Sequence, residues 1–516
     1  MSETRTTSNL TLPINFPVNT GIEITPVPTL TILYHPIPER IGEYASLPQI
    51  KQGRPISFSR NMLDFSPYSG VPGHALNDPY LSRQPLIIEP TRSGYVLKIA
   101  AGGNSVRMAQ GEILTGDLCF DKNALERGIY LVIAERILLL LHLREASANR
   151  NEFDEFGLIG RCDALRVVRQ SIEQCAQIDT DVLVLGESGT GKELVAEAIH
   201  RHSARSENGL VSVNMSAIPI SLAAAELFGS VKGAYTGADS NKPGYIRLAD
   251  SGTLFLDEIG DTPGELQPQL LRVLESREVQ PVGGTPCKVN VRFISASDAD
   301  LDSSGFRTAL RHRLGSYEIH LPPLRERQGD VASLILHFLN EEYEKLGLPN
   351  RLSDDSKNPE TAHRWLKIFE QLCCHSWPGN VRELRNIICQ LVIHNQAAGA
   401  VLMPVHIHQL LKNSNKTIET KIAEPLRRYT DVTADELHQA MQKAKWEIMA
   451  AAKILGVSRQ SIYKLIESDS ELRMVGAIPR DELLAAYEKC EGDFLVMRDY
   501  LKASLPALRR RLREFQ

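Results

Sequence analysis

A glycine-rich stretch between an apolar run and a helical pattern constrains the fold of this chain more than any other feature. The run Val182–Leu185 is typical of a buried strand, and the next eight residues read Gly-Glu-Ser-Gly-Thr-Gly-Lys-Glu. Glycines let the backbone turn so that successive N–H groups face phosphate oxygens, and the lysine reaches the terminal phosphates. The N-terminus of the following helix adds its dipole. We therefore predict an ATP-binding strand–loop–helix unit that uses Gly186, Glu187, Ser188, Gly189, Thr190, Gly191, Lys192 and Glu193.

A second apolar strand pattern, Thr253–Leu256, ends in the acidic pair Asp257 and Glu258. Such a pair can supply an aspartate that organises Mg²⁺ and a glutamate that polarises the attacking water. An acidic pair after a strand is often only a solvated turn, but its spacing from Lys192 favours a catalytic role. The strict phosphate-loop motif has Ser or Thr after the lysine to ligate Mg²⁺, where this chain has Glu193. The pattern predicts an ATPase with ATP and Mg²⁺ as cofactors and Asp257 as the metal ligand.

Length and composition limit the other classes of function. A chain of 516 residues is too long for one core and suggests about three domains. A net charge of -5 leaves any contact with DNA to a local basic patch. The eight cysteines form no C-x-x-C pair, which argues against a zinc site or a disulfide framework. The most apolar stretch, Ile129–Leu143, is interrupted by charged residues and is too short to span a bilayer, so we expect a cytoplasmic protein without a membrane partner.

The chain divides by pattern into an all-β part, an α/β part and an all-α part. Short β-type runs separated by Gly, Pro, Asn and Asp predict an N-terminal all-β sandwich. These runs are Leu30–Tyr34, Pro55–Phe58, Leu86–Glu89, Gly94–Ile99 and Ile129–Ile133. Strands then alternate with helices, as in a parallel α/β sheet. The expected segments are a disordered lead at 1–27, the sandwich at 28–147, a helical connector at 144–155, the α/β part at 156–396, a linker at 397–430, and helical modules at 431–475 and 476–516.

The α/β part, 156–396, resembles the central AAA+ domain of sigma-54-dependent transcriptional activators, an α/β ATPase with a helical lid. The octapeptide at 186–193 is that family's own form of the phosphate loop. The segment ELFGSVKGAYTGA at 226–238 resembles the family's signature loop, with Tyr where Phe is usual. The resemblance implies a homo-oligomeric ring that contacts the sigma-54 RNA polymerase holoenzyme. The implied contact residues are Gly233, Ala234, Tyr235, Thr236, Gly237 and Ala238.

The same resemblance implies roles for further residues of the α/β part. The segment at 307–327 is similar to the arginine-finger region, which implies that Arg307 and Arg313 reach the γ-phosphate held by a neighbouring subunit. The segment WPGNVRELRN at 377–386 is similar to sensor II and implies that Arg382 contacts nucleotide. Asn214 stands where the family has an asparagine that holds the catalytic glutamate. Asp298 follows Ser297 where the family usually has Thr-Asn, and a carboxylate there would repel the γ-phosphate and alter the rate of hydrolysis.

The helical tail contains an internal repeat with a displacement of 46 residues. The copies begin at Asp435 and Asp481 and align without gaps through Ile466 and Leu512. The first copy resembles a Fis-type helix-turn-helix, which implies contact with double-stranded DNA upstream of the promoter. A helical hairpin for dimerisation is the alternative for either copy. The implied DNA-binding residues are Ser458, Arg459, Gln460, Tyr463 and Lys464 in the first copy, and Arg509 and Arg510 in the second.

The N-terminal β part resembles a forkhead-associated domain, a reader of phosphothreonine. The order of Gly53-Arg54, Leu81-Ser82-Arg83 and Gly103-Asn104 follows that family, although the usual His after Ser-Arg-x is absent. The resemblance implies that Arg54, Ser82 and Asn104 would hold a phosphothreonine peptide. Loops at one end of a sandwich converge, which makes a single pocket possible.

Two other functions remain compatible with the sequence. An AAA+ unfoldase would have an aromatic pore loop and no DNA-binding tail. A catalytically weak AAA+ adaptor would bind DNA and read a phosphoprotein signal, and Asp298 is the residue that supports it. The rate of ATP turnover discriminates this adaptor from an activator.

Overall fold

The computed structural model has three parts in chain order: an N-terminal β part, a central α/β part with a helical lid, and a helical tail. The described residues are 26–67, 72–92, 94–145, 156–235, 239–298, 301, 305–352, 358–396, 401–414, 433–455, 462–463, 465–466, 469, 478–490 and 493–513. The predicted disordered lead, 1–27, lies outside them except for its last two residues, which begin the first strand. No helix within these ranges is long and apolar enough to cross a membrane.

The N-terminal part consists of two antiparallel sheets that pack around one apolar core. Its elements are β1 (Pro26–Tyr34), β2 (Tyr44–Ser46), α1 (Pro48–Lys51), β3 (Ile56–Phe58), β4 (Leu86–Thr91), β5 (Gly94–Lys98), β6 (Val106–Met108), β7 (Leu118–Phe120), α2 (Lys122–Arg127), β8 (Ile129–Ile133) and β9 (Ile137–Glu145). One sheet has the order β2-β1-β9-β8-β6 and the other the order β3-β4-β5-β7. In β4, Leu86 and Ile88 are buried while their neighbours are less so, which is the two-residue period of a strand. Each of the five predicted β runs overlaps one of these strands.

The longest apolar stretch of the chain is the β8–β9 hairpin. Ala134 and Glu135 have φ values of 52° and 49°, as in the tight turns that match the twist of paired strands. The charged pair Glu135 and Arg136, which interrupts the stretch in the sequence, therefore forms the turn. β9 continues to Glu145, so the first two residues of the predicted helical connector, 144–155, belong to a strand. The remaining connector residues lie outside the described ranges.

The central part is built on five parallel strands in the order β11-β14-β17-β10-β18. Its strands are β10 (Val182–Leu185), β11 (Leu210–Asn214), β12 (Gly229–Ser230), β13 (Lys242–Pro243), β14 (Thr253–Asp257), β15 (Glu278–Val279), β16 (Cys287–Lys288), β17 (Arg292–Ser297) and β18 (Tyr317–His320). Its helices are α3 (Asp163–Ala176), α4 (Lys192–Arg201), α5 (Ile220–Phe228), α6 (Tyr245–Leu248), α7 (Gln267–Ser276) and α8 (Thr308–Leu314). Both faces of the sheet are buried: Leu183 lies in one apolar cluster, and its neighbours Val182 and Val184 lie in another. Helices on both faces are the usual cover of a parallel sheet.

Four helices form the lid: α9 (Gln328–Lys345), α10 (Pro359–Cys373), α11 (Asn380–His394) and α12 (Val405–Ser414). α12 falls inside the predicted linker, 397–430. Its residues Ile407 and Leu411 are buried in the same cluster as the other lid helices, so this part of the predicted linker belongs to the lid. The linker residues 397–400 and 415–430 lie outside the described ranges.

The tail contains two small apolar clusters. Its helices are α13 (Ala434–Lys443), α14 (Ile448–Leu455), α15 (Arg480–Lys489), α16 (Phe494–Tyr500) and α17 (Leu505–Arg513). Leu437, Ala440 and Ile462 of the first cluster correspond to Leu483, Ala486 and Leu508 of the second, each displaced by the 46 residues of the sequence repeat. The two copies therefore bury equivalent positions.

Candidate functional site

The candidate site lies at the carboxyl edge of the central sheet. Leu185, the last residue of β10, pairs with Ser297, and Asn214 pairs with Asp257. Because the strands are parallel, their carboxyl ends meet along one edge, where ligands bind in open α/β sheets. The phosphate loop, the acidic pair and Asp298 therefore follow neighbouring strands, as the sequence predicts.

The phosphate loop has the backbone that phosphate binding needs. Gly189 and Gly191 have φ values of 78° and 106°, a region that side chains other than hydrogen disfavour. Lys192 begins α4, is 7% exposed, and donates from Nζ to the carbonyl oxygen of Gly186 at 2.9 Å. The Thr190 hydroxyl donates to the Glu187 carbonyl oxygen at 2.7 Å and fixes the shape of the loop. Glu193 is exposed.

The lid contacts the phosphate loop through the first residues of α11. The backbone N–H groups of Val381 and Arg382 donate to the Gly189 carbonyl oxygen at 3.0 and 3.3 Å. The guanidinium of Arg382 donates to the Ser188 hydroxyl at 3.2 Å, which brings the predicted sensor residue to the loop. Asn380 is fully buried, and its amide donates to the Ser188 carbonyl oxygen at 3.0 Å.

Sequence reasoning missed two residues at this contact. Arg325 makes two bonds to the Glu187 carboxylate, at 2.9 and 2.7 Å, and Asn380 donates to the same carboxylate at 3.1 Å. The pKa of Glu187 is lowered by the hydrogen bond from Arg325 and then by that from Asn380. The asparagine between a Pro-Gly turn and a helix was a signal that could have identified Asn380.

The glutamate of the acidic pair, Glu258, has Asp298 as a neighbour, a residue other than the predicted Asn214. The pKa of Glu258 is raised because the carboxyl is partly buried and because the negative charge of the nearby Asp298 acts on it, while Lys192 acts in the opposite direction. Asn214 instead accepts from the backbone and hydroxyl groups of Ser216, at 2.9 and 2.7 Å. Asp298 is therefore close enough to act on the predicted catalytic glutamate, and the role of Asn214 in holding that glutamate stays a prediction.

The acidic pair also fits a magnesium ion held together with a nucleotide. Mg²⁺ is usually bound through one or two carboxylates together with substrate phosphates. Asp257 ends β14 beside the phosphate loop and is only partly buried, so its carboxylate could serve as that ligand. Among the described residues no group of three or more His, Cys, Asp or Glu side chains forms an all-protein metal cage, and a nucleotide-dependent Mg²⁺ site does not require one.

The two predicted arginine fingers lie at the start of α8 and within it. Arg307 is exposed and precedes the helix, while the Arg313 guanidinium donates to the Leu274 carbonyl oxygen on α7 at 3.3 and 3.1 Å. Neither side chain bonds to the phosphate loop of its own chain within the described ranges. An action on a neighbouring subunit stays a prediction.

The predicted sigma-contact loop begins on a short hairpin stem formed by β12 and β13. Gly233 has a φ of 78°, and Tyr235 is half-buried. A second hairpin supports the loop, because the Val231 N–H donates to the Val282 carbonyl oxygen at 3.1 Å. The predicted contacts Thr236, Gly237 and Ala238 lie outside the described residues.

Few of the predicted DNA contacts can be located in the tail. Tyr463 is half-buried beside the first apolar cluster. Arg509 and Arg510 lie on α17. Ser458, Arg459, Gln460 and Lys464 lie outside the described residues.

The predicted phosphopeptide residues do not all meet. The Ser82 N–H donates to the side-chain oxygen of Asn104 at 2.6 Å, so these two are neighbours. Arg54 precedes β3, whereas Ser82 lies beside the residues that follow β3, because the Arg60 N–H donates to its carbonyl oxygen at 3.3 Å. Arg54 is therefore at the opposite end of that strand, and Arg60 takes its place next to Ser82. The sequence offered two arginines near β3, and only the strand pairing distinguishes them.

Three family comparisons agree with this geometry. Residues 158–320 match the sigma-54 interaction domain. Residues 325–424 match an AAA+ ATPase lid domain, and residues 430–466 match the Fis family of bacterial regulatory proteins. The predicted fold is confirmed for the AAA+ part, its lid and the first tail module. The forkhead-associated character of the β part and the second helix-turn-helix stay predictions.

Several curated proteins are similar to this chain. NtrC, a DNA-binding transcriptional regulator of Bradyrhizobium sp. (strain RP501 Parasponia), is 44% identical over 47% of this chain and 49% of that protein. The Nif-specific regulatory protein of Klebsiella pneumoniae is 38% identical over 60% of this chain and 59% of that protein. A protein named limonene hydroxylase, from Geobacillus stearothermophilus, is 39% identical over 57% of this chain and 52% of that protein. The chain thus spans about half the length of the curated relatives it matches.

A solved structure is also similar. The crystal structure of NtrX from Brucella abortus in complex with ADP is 28% identical, covers 70% of this chain and 69% of its own, and has a TM-score of 0.43.

Proposed function

We propose that this protein is an ATP-hydrolysing, DNA-bound transcriptional activator that remodels the sigma-54 RNA polymerase holoenzyme inside the cell. The observation that carries the proposal is that the phosphate loop and the acidic pair meet within a segment similar to the sigma-54 interaction domain, and that the adjoining lid contacts this loop.

The proposed reaction divides among residues at the sheet edge. Lys192 would leave its bond to the Gly186 carbonyl for the terminal phosphates, and Asp257 would hold Mg²⁺, which neutralises charge on the phosphates. Glu258 would orient the attacking water. Arg307 and Arg313 from a neighbouring subunit of a ring would stabilise the charge that spreads over the transferred phosphoryl group.

The chain order offers a path from hydrolysis to sigma-54. Asn214 and Asp257 pair at the ends of neighbouring strands. The chain segment between them includes α5 and the loop beyond β12. Both ends of this segment lie at the nucleotide site. A change around the phosphates would therefore move the loop that contacts sigma-54.

Three substitutions separate the proposed tasks. Lys192→Ala should lose nucleotide binding, and Glu258→Gln should bind ATP but hydrolyse it very slowly. Thr236→Ala should keep its ATPase activity yet fail to open a sigma-54 promoter in a reconstituted transcription assay. Normal promoter opening by Thr236→Ala would contradict the sigma contact.

A weak AAA+ adaptor is the second candidate, because the charge of a carboxylate, Asp298, acts on Glu258. In that case the purified chain would bind ATP and DNA without turning ATP over. A steady-state ATPase assay with Glu258→Gln as the blank decides between the two.

For the β part we propose recognition of a phosphothreonine protein or peptide at Ser82, Asn104 and Arg60. The Nε of Arg60 and one terminal nitrogen of the neighbouring Arg136 are buried without a hydrogen-bond partner, which favours an anionic ligand. A guanidinium binds phosphate oxygens through charge-assisted hydrogen bonds.

Calorimetry of the full chain against a phosphothreonine peptide library tests this proposal. Arg60→Ala should abolish the binding, whereas Arg54→Ala, at the other end of β3, is the matched control and should bind normally. Binding that is indifferent to phosphorylation would make the β part a protein–protein module.

A further inference from the structure

The N-terminal β part and the lid share one apolar core. Tyr34 and Leu138, from the outer face of the β1–β9 sheet, lie in the same cluster as Trp365 and Phe369 of α10. The rings of Tyr34 and Phe369 are 5.1 Å apart between centroids, and the Tyr34 hydroxyl donates to the Ala362 carbonyl oxygen at 2.8 Å. Interfaces between independent domains are usually more polar than this. The contact resembles the interior of one domain.

A buried ion pair fixes the register of this junction. Arg107 on β6 donates two bonds to Glu370 on α10, at 2.6 and 2.8 Å, and their side chains are 6% and 4% exposed. The backbone N–H of Gln110 donates to the same carboxylate at 2.5 Å. Although burial acts in the opposite direction, these hydrogen bonds lower the pKa of Glu370, so the pair is charged. A buried pair of this kind is satisfied in one alignment only.

The junction continues toward the loops at one end of the β part. Arg107 also pairs with Glu135 in the β8–β9 turn. The neighbouring Ala134 N–H donates to the Ser105 carbonyl oxygen at 2.8 Å, next to Asn104. Three hydrogen-bonded contacts therefore lead from the lid to the loop of Asn104, and a fourth joins Asn104 to Ser82.

On its other side the lid reaches the nucleotide site. Three residues separate the end of α10 at Cys373 from Trp377, which is fully buried in the shared core. α11 then starts at Asn380, whose neighbours Val381 and Arg382 bond to the Gly189 carbonyl oxygen. An unbroken set of packed elements thus joins the phosphate loop to the β part.

We propose that the β part and the lid act as one rigid body, which communicates nucleotide binding at the phosphate loop to the loops around Asn104. The proposal rests on ATP binding, which belongs to the proposed function, and not on transcription activation. A rigid body joined at both ends transmits a displacement, whereas a tethered domain would not.

Hydrogen–deuterium exchange of the full chain, with and without a non-hydrolysable ATP analogue, tests the proposal. In the wild type the analogue should slow exchange at the phosphate loop and also at the amides of Ser82, Gln110 and Ala134. Arg107→Met removes the ion pair, so its phosphate loop should still be protected while the three amides no longer respond.

Arg205→Met is the matched control, because Arg205 makes a two-bond ion pair with Asp179 inside the AAA+ part, away from the junction. This variant should keep both responses. If Arg107→Met does not fold, Glu370→Gln, which keeps the shape and loses the charge, replaces it. The rigid-body proposal would be overturned if, in the wild type, the analogue slowed exchange at the phosphate loop but left exchange at the amides of the β part unchanged. Lack of protection at the phosphate loop would instead contradict ATP binding.

Discussion

Substitution of Gly189 by alanine should separate the lid from the phosphate loop. A Cβ atom at this position would lie 2.5 Å from the Gly379 carbonyl oxygen and 3.0 Å from Cβ of Arg382, so the lid backbone must move. The φ of 78° adds backbone strain. We expect Gly189→Ala to bind ATP more weakly, because Arg382 no longer reaches the nucleotide.

The size of the effect follows from the bonds that are lost. To reach an ordinary contact of 3.4 Å, the carbonyl oxygen must retreat by roughly 0.9 Å from its distance of 2.5 Å. That movement breaks the bonds from Val381 and Arg382 to Gly189, each with a net value of about 0.5–1.5 kcal/mol. The free energy of lid closure should change by about 1–3 kcal/mol, which corresponds to a factor of about 5 to 150 in affinity.

Gly53→Ala is the control for strain alone. Gly53 has a φ of 77°, and a Cβ atom there would have no neighbour within 4 Å. Both variants should lose similar backbone stability, but only Gly189→Ala should lose affinity in titrations with a fluorescent ATP analogue. Equal affinity in the two variants would refute the role assigned to the lid contact.

Three further outcomes are expected. Asp298→Asn should raise ATP turnover or ATP affinity without changing assembly, in steady-state assays, because it removes a like charge from Glu258; a lower rate would contradict this. Burial, and then the nearby Arg40, lower the pKa of His35 to about 4, so the unfolded chain binds the extra proton first as the pH falls. This histidine should account for a loss of about 2 kcal/mol of stability between pH 7.5 and 5, and because the pKa of the buried His142 is lowered too, His35→Gln should reduce the total loss by that amount and not abolish it. Replacing Arg509 and Arg510 with alanine should flatten the salt dependence of DNA binding by about one unit per lost phosphate contact.

The nucleotide site could be predicted from the sequence because each of its motifs is a continuous stretch of the chain. The phosphate loop and the acidic pair each follow an apolar strand, and parallel strands bring their ends together whatever their order. The partner of Glu258 could not be predicted in the same way. Asn214 ends one strand and Asp298 follows another, and the sequence alone does not show that the charge of Asp298 acts on the glutamate.

Contacts between distant segments account for the other differences. Arg54 and Arg60 flank the same short strand, and the choice between them depends on how β3 pairs with β4. The junction of Arg107 with Glu370 joins residues far apart in sequence, and neither residue stands in a recognisable motif. The sequence predicts a linker where α12 lies, because the apolar residues of this helix contribute to a core that other helices complete.

The two apolar clusters of the tail differ in the residues that occupy equivalent positions. Each cluster is formed by the helices of its own copy, and a hydrogen bond from Nε1 of Trp446 to the Asp499 carboxylate at 3.1 Å joins the two copies. Lys502 stands where the first copy has Gly456 and holds a φ of 50°, a costly conformation for lysine. Small Ala451 likewise corresponds to bulky Met497. The two copies therefore share a pattern of buried positions but fill it with different residues, so an equivalent substitution should carry a different cost in each copy.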